Sequence, residues 1–197
     1  MITINGSGTI GGITAGGLPD ACVTAADLAV GAAKANYGAG AVLQVVSTTF
    51  SAQGSTTITT ADTETNPAIT HTITPIGTGS NFRIDVRWFG EVNEAWNMVA
   101  HIHRNGVRIN EANTLDYHGL SASTQSYGGG SNDTSTPEIL TLSTFDKTGS
   151  TAGVSITYAL KFSANANRTM WTNRCFGTVQ SGNETGISEI IITEIGA

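Results

Sequence analysis

A strict alternation runs through Phe82-Arg83-Ile84-Asp85-Val86-Arg87-Trp88, apolar at every even position and charged at every odd one. Successive side chains of a β-strand point to opposite faces, so this segment buries one face and solvates the other only as a strand; wound as a helix it would scatter three charges around the full circle. Val154, Ile156, Tyr158, Leu160 and Phe162 repeat the pattern. Asn97 to Arg104, then Asn105-Gly106, then Val107 to Ile109 reads as a hairpin, because Asn-Gly accepts the positive φ angles of a type I′ turn. Ala41 to Ser47 reads as the first strand of this region. The last, Ile187 to Ile195, carries Ile187, Ile191 and Ile195 on one face and Ile190 and Ile192 on the other, and so calls for cover on both sides, as a central strand or at a subunit interface. Weaker runs near Thr56, Ile69, Ile139 and Met170 raise the total to eight strands or more, which predicts an all-β, jelly-roll-like β-sandwich over residues 41–197.

Composition agrees with strands and turns. Only 12% of the 197 residues are charged, about half the usual share, and the polar fraction comes from Thr, Ser, Asn and 24 Gly. The formal net charge is −6 and no window holds a run of Lys or Arg, so neither a phosphate backbone nor an anionic membrane is an expected partner. No segment reaches the length of a membrane span, and Met1-Ile2-Thr3-Ile4-Asn5-Gly6 has neither a charged nor an apolar signal region, which points to synthesis in a cytoplasm. Without a secretory route the sequons at Asn5, Asn132, Asn167 and Asn183 read as chance products of a Thr/Ser/Asn-rich chain. Cys22 and Cys175 are too few and too far apart for a disulfide framework or a zinc site; one bond between them is arithmetically open, and two buried thiols are the simpler reading.

Residues 1–40 read as a separate module. Asp20, Asp27 and Lys34 are the only charges before residue 62, and Gly is dense from Gly6 to Gly17. Thr3 to Pro19 is an extended, Gly-punctuated segment that needs a partner surface to become ordered. Thr24-Ala25-Ala26-Asp27 resembles a capping box, and an Ala-rich run through Ala35 ends near Gly38, which predicts a short helix over about 24–36. A helix of that length is marginal in water by itself, and its Leu28, Ala29, Ala32, Ala33 stripe suits close helix–helix approach around a symmetry axis.

Chemistry is harder to find. The chain has no nucleophile elbow, phosphate loop, dinucleotide fingerprint, zinc-type Cys/His spacing or paired carboxylates on a helix, so neither an enzyme nor a cofactor is expected. His101 and His103 are two apart on one strand and share a face, where they sit half-exposed, hydrogen-bond across the hairpin or, with symmetry mates, ring a metal. Trp96, Tyr117, His118 and Tyr127 lie in or beside loops rich in Asn, Ser and Gly, including the polar stretch from Tyr117 to Pro137. Flat rings beside adaptable donors suit a carbohydrate or protein surface, and equally suit a core or an interface. Trp88 and Trp171 fall in strands and read as structural.

Ile4-Asn5-Gly6-Ser7-Gly8-Thr9-Ile10, Gly16-Gly17-Leu18-Pro19-Asp20, Ala25-Ala26-Asp27-Leu28-Ala29 and Ala39-Gly40-Ala41-Val42-Leu43-Gln44-Val45-Val46 resemble segments of tail-fibre and other virion structural proteins of tailed bacteriophages. Arg104-Asn105-Gly106, Trp171-Thr172-Asn173-Arg174 and Ile190-Ile191-Ile192-Thr193-Glu194-Ile195 resemble elements of the same β domain. The resemblance implies a homotrimer on the virion surface, docked to other virion proteins through residues 1–40, with a jelly-roll-like domain displayed outward to bind a host surface glycan or protein. Capsid decoration is the alternative it leaves open, and a polysaccharide-degrading enzyme is a third. Long tail fibres of contractile phages also carry His-x-His elements that hold metal on the trimer axis, which His101 and His103 match in spacing only. The absence of a long fibrous shaft departs from the pattern.

Overall fold

The computed structural model describes residues 3–4, 10–11, 39–60, 63–64, 68–93, 98–109, 120–122, 137–164, 167–175 and 185–197. The chain divides into two compact units, Met1–Tyr37 and Gly38–Ala197. In the first, β1 (Thr3–Ile4) and β2 (Ile10–Gly11) pair antiparallel, Thr3 opposite Gly11 and Ile4 opposite Ile10. The helix expected over about 24–36 and Cys22 lie outside the described residues.

The second unit is built from β3 (Val42–Phe50), β4 (Gly54–Ile58), β5 (Thr63–Glu64), β6 (Ile69–Ile73), β7 (Asn81–Val92), β8 (Met98–Arg104), β9 (Val107–Arg108), β10 (Ser121–Ala122), β11 (Glu138–Asp146), β12 (Ile156–Ala164), β13 (Arg168–Thr172) and β14 (Ser188–Ile195). Registers show that several of these are halves of one strand. On the edge of β7 opposite β11, β14 pairs with Asn81 to Arg87 and β13 with Gly90 to Val92, so β13 and β14 lie end to end. By the same logic β3 and β4 share a line, as do β5 and β6 along β12, and β9 and β10 along β8.

Eight lanes result, in chain order β3+β4, β5+β6, β7, β8, β9+β10, β11, β12 and β13+β14. One sheet runs lane one, eight, three, six; the other runs two, seven, four, five. Every pairing is antiparallel, and the chain winds as four nested hairpins, the jelly-roll arrangement of a β-sandwich.

Alternation decides what lies between the sheets. Phe82, Ile84, Val86 and Trp88 face inward, meeting Tyr158, Leu160 and Phe162 from the other sheet. Trp88 and Phe162 stack at 5.1 Å and Phe82 and Tyr158 at 5.9 Å, both tilted. Each such side chain contributes about 1.5–3 kcal/mol by leaving water. The Trp88 indole donates to Thr172 Oγ1 at 3.0 Å, so its polar end is satisfied too. Trp171 and the Cys175 thiol are also buried.

The hairpin forms as its sequence predicts, Asn105 at φ 49° and Gly106 at φ 86°. Three local expectations change. Val154 is not in a strand: its N–H closes a turn onto Thr151 O and its side chain is exposed, because β12 begins two residues later. Within the stretch read as a loop from Tyr117 to Pro137, Ser121 and Ala122 pair with Ala100 and Val99, giving the edge of β8 backbone partners. The final strand is central in its sheet and buries Ile190 and Ile192, yet Ile191 and Ile195 on its outward face are half-buried and Ile187 is exposed.

Candidate functional site

Lanes two to three, four to five and six to seven connect at one end of the sandwich, which we call the base. The chain enters and leaves there as well: Gly40 N donates to Gly196 O and Gly196 N to Ala41 O, both at 2.8 Å. Two buried carboxylates organise this end. Glu194 has the same parity as Ile190 and Ile192 and therefore points inward, where it accepts from Ile76 N, Gly77 N (2.8 Å), Ser80 Oγ (2.8 Å) and Gln44 Nε2 (2.6 Å). Burial alone would raise its pKa, but the donors from Ile76, Gly77, Gln44 and Ser80 outweigh that and hold it below the usual carboxylate range.

Asp146 is the second. It accepts from Arg104 Nη1 at 2.7 Å, Tyr158 Oη at 2.6 Å, Thr148 N at 2.9 Å and the Thr148 hydroxyl. Desolvation opposes ionisation here as well, and the Thr148 and Tyr158 donors with the Arg104 charge again win. Burial and the Asp146 carboxylate push the Tyr158 phenol well above its ordinary value, so it stays a donor. Saturated and held ionised, Glu194 and Asp146 tie down residues 74–80 and 147–151 rather than shuttle protons. Between those loops lies a polar cavity of about 410 Å³ with Arg104 among its walls and Thr78, Thr148, Ser150 and Thr151 around it.

His101 and His103 are found on the outward face of β8, and both are buried rather than half-exposed. His101 Nε2 lies 2.6 Å from Ser163 Oγ on the adjacent β12. Both groups are fully buried, so this hydroxyl is not presented to a substrate. His103 bonds across its hairpin, Nδ1 to Gly106 O at 3.0 Å, while Nε2 meets Glu64 Oε1 at 2.8 Å. Glu64 also takes Arg108 Nε and lies 3.6 Å from Lys161 Nζ. Burial pushes its pKa up, and Arg108 and His103 more than reverse that, leaving it lowered. Among the described residues no three His, Cys, Asp or Glu side chains gather as metal ligands.

The outward face of the first sheet carries a shallow groove of about 330 Å³ across β11, β7 and β14. Cross-strand registers place Thr141, Arg87 and Glu189 in one row and Ser143, Asp85 and Ile191 in the next. Arg83 Nε bridges to Asp85 at 2.9 Å, and Ile139 (57% exposed) and Phe145 (44%) flank the groove.

The other end of the sandwich, the crown, collects the connections between lanes one and two, three and four, five and six, and seven and eight. Trp96 lies between β7 and β8 in sequence, Tyr127 between β10 and β11, and Tyr117 and His118 between β9 and β10; all four fall outside the described residues. The buried acids Glu194 and Asp146 and the half-buried Glu64 are what sequence reasoning missed. For the first two a signal existed, since each shares the parity of the apolar residues in its own strand.

No protein-family model matches the chain, and no curated protein does. Among solved structures, the chain is similar to dimeric latent PorU from Porphyromonas gingivalis, at 10% identity and a TM-score of 0.36, over 80% of this chain and 13% of that one.

Proposed function

We propose that this protein is a virion structural protein of a tailed bacteriophage, a tail fibre or receptor-binding protein that docks through residues 1–40 and meets the host surface through its β domain. One observation carries the reading. The chain enters the sandwich at the base, where Gly40 and Ala41 clasp Gly196, and four inter-lane connections gather at the opposite end. A module tethered at one pole and carrying four of its seven inter-lane connections at the other is arranged for display. Trp96 and Tyr127 lie in crown connections, beside Asn, Ser and Gly that suit a glycan or a protein surface. Assembly as a homotrimer multiplies weak single-site contacts.

Purified protein is expected to bind host cells and to compete with phage adsorption, and Trp96→Ala with Tyr127→Ala to weaken both without lowering the melting temperature. A protein that neither binds nor competes sinks the receptor-binding reading. It then favours a capsid decoration protein, for which the exposed Val45, Ile139 and Phe145 on one sheet face are the supporting feature. Antibody labelling of intact virions separates tail from capsid. New reducing ends released from host polysaccharide would instead point to an enzyme.

A further inference from the structure

We infer that β3 is a docking edge for the β3 strand of a second copy of this chain, the two paired antiparallel about a two-fold axis through Ser47. β3 is the outermost lane of its sheet, and β14 is its sole strand partner among the described residues. Among the described residues no strand pairs with the β3 edge facing away from β14, so the backbone N–H and C=O groups along it are open to another strand.

Edges of this kind are normally blunted by charge, proline, shortness or a bulge. From residue 39 to residue 60 there is no Asp, Glu, Lys, Arg or Pro. The strand is nine residues long, and its bulge, where Leu43 is the extra residue between Gln44 and Val42, lies at the base and leaves Gln44–Phe50 regular. Outward-facing Val45 is 58% exposed, and the half-buried Ile191 lies one lane inward. The edge therefore offers both unpaired backbone and apolar surface.

The occupant follows from complementarity. Each copy carries a net charge of −6, and this lane is where two copies approach without bringing like charges together. The longest regular ladder, Gln44–Phe50, has Ser47 at its midpoint. Self-pairing sets Ser47 opposite Ser47 of the second copy and Val45 opposite its Thr49, uncharged pairs that keep each outward face outward. The sheet then continues across the axis as eight lanes, an isologous contact. It goes beyond the reading above, holds for a tail or a capsid location, and joins trimers in pairs.

The test uses the full chain. Ser47→Cys under mild oxidation is expected to trap a disulfide-linked pair, whereas Thr141→Cys, also exposed on the same sheet but away from β3, is not; both variants keep Cys22 and Cys175. Ser47→Lys sets two ammonium groups opposite each other and is expected to weaken self-association about fivefold or more in sedimentation, with an unchanged melting temperature. Cross-linking no greater at residue 47 than at residue 141, or association that Ser47→Lys leaves intact, overturns the edge contact and leaves the proposed function standing. A monomer at micromolar concentration overturns the contact and the trimer together.

Discussion

Asn173 shows how much one side chain can be asked to hold. It is fully buried in the left-handed region at φ 62°, where Asn is tolerated better than most residues. Its Nδ2 donates to Phe50 O at 2.8 Å and Ala52 O at 2.9 Å, while Oδ1 accepts from Ser188 Oγ at 2.7 Å. Ser188 Oγ in turn accepts from Phe89 N. These bonds splice the breaks in lanes one and eight. Asn173→Ala strands several buried groups and should cost about 3 kcal/mol in urea unfolding. Asn173→Gly, which relieves the backbone angle, should recover part of that. Gly90 is constrained differently: a Cβ there would collide with Trp171 O and the Trp88 ring, both in the packed interior. Gly90→Ala should destabilise by about 3 kcal/mol, read as a fall in the denaturant midpoint at constant slope.

At the scale of elements, the sandwich was readable where one face is apolar and the other charged. β7 and the β8–β9 hairpin follow from alternation and Asn-Gly alone, because neither depends on what packs outside the sheet. β8 and β12 were less readable: His101 and Ser163 sit on their outward face yet are buried, and period two cannot reveal a second cover. Glu194 was overlooked although its parity placed it among inward isoleucines, since charge is the usual mark of a solvated face. Its role gives an element-level prediction. Glu194→Gln replaces one acceptor oxygen with a donor that faces other donors, so residues 74–80 should loosen first. Faster amide hydrogen exchange at Ile76 and Gly77, with the β7 core unchanged, is the expected result. The proposed receptor-binding aromatics were legible only as residue types in loops, and they lie outside the described residues.

For the molecule as a whole, pH is the informative variable. Glu64, Asp146 and Glu194 all have pKa values below their ordinary ones in the folded state. The unfolded chain therefore binds protons at these sites more readily, and their stabilisation is present above the unfolded pKa of about 4 and lost as pH falls through the folded values. Unfolding free energy should be insensitive to these groups from pH 7 to 5 and drop below about pH 4, with Glu194→Gln and Asp146→Asn flattening the acid limb. The interrupted lanes carry a mechanical consequence. β4 and β13 hang from β7 by the three register pairs at Gly90, Glu91 and Val92, with Asn93 and Thr169 exchanging two further hydrogen bonds. Above the Asn173 splice the first sheet is thus a small flap creased against a larger panel. Under mild denaturant that corner should peel back before the panel melts, giving its amides a protection plateau below that of β14.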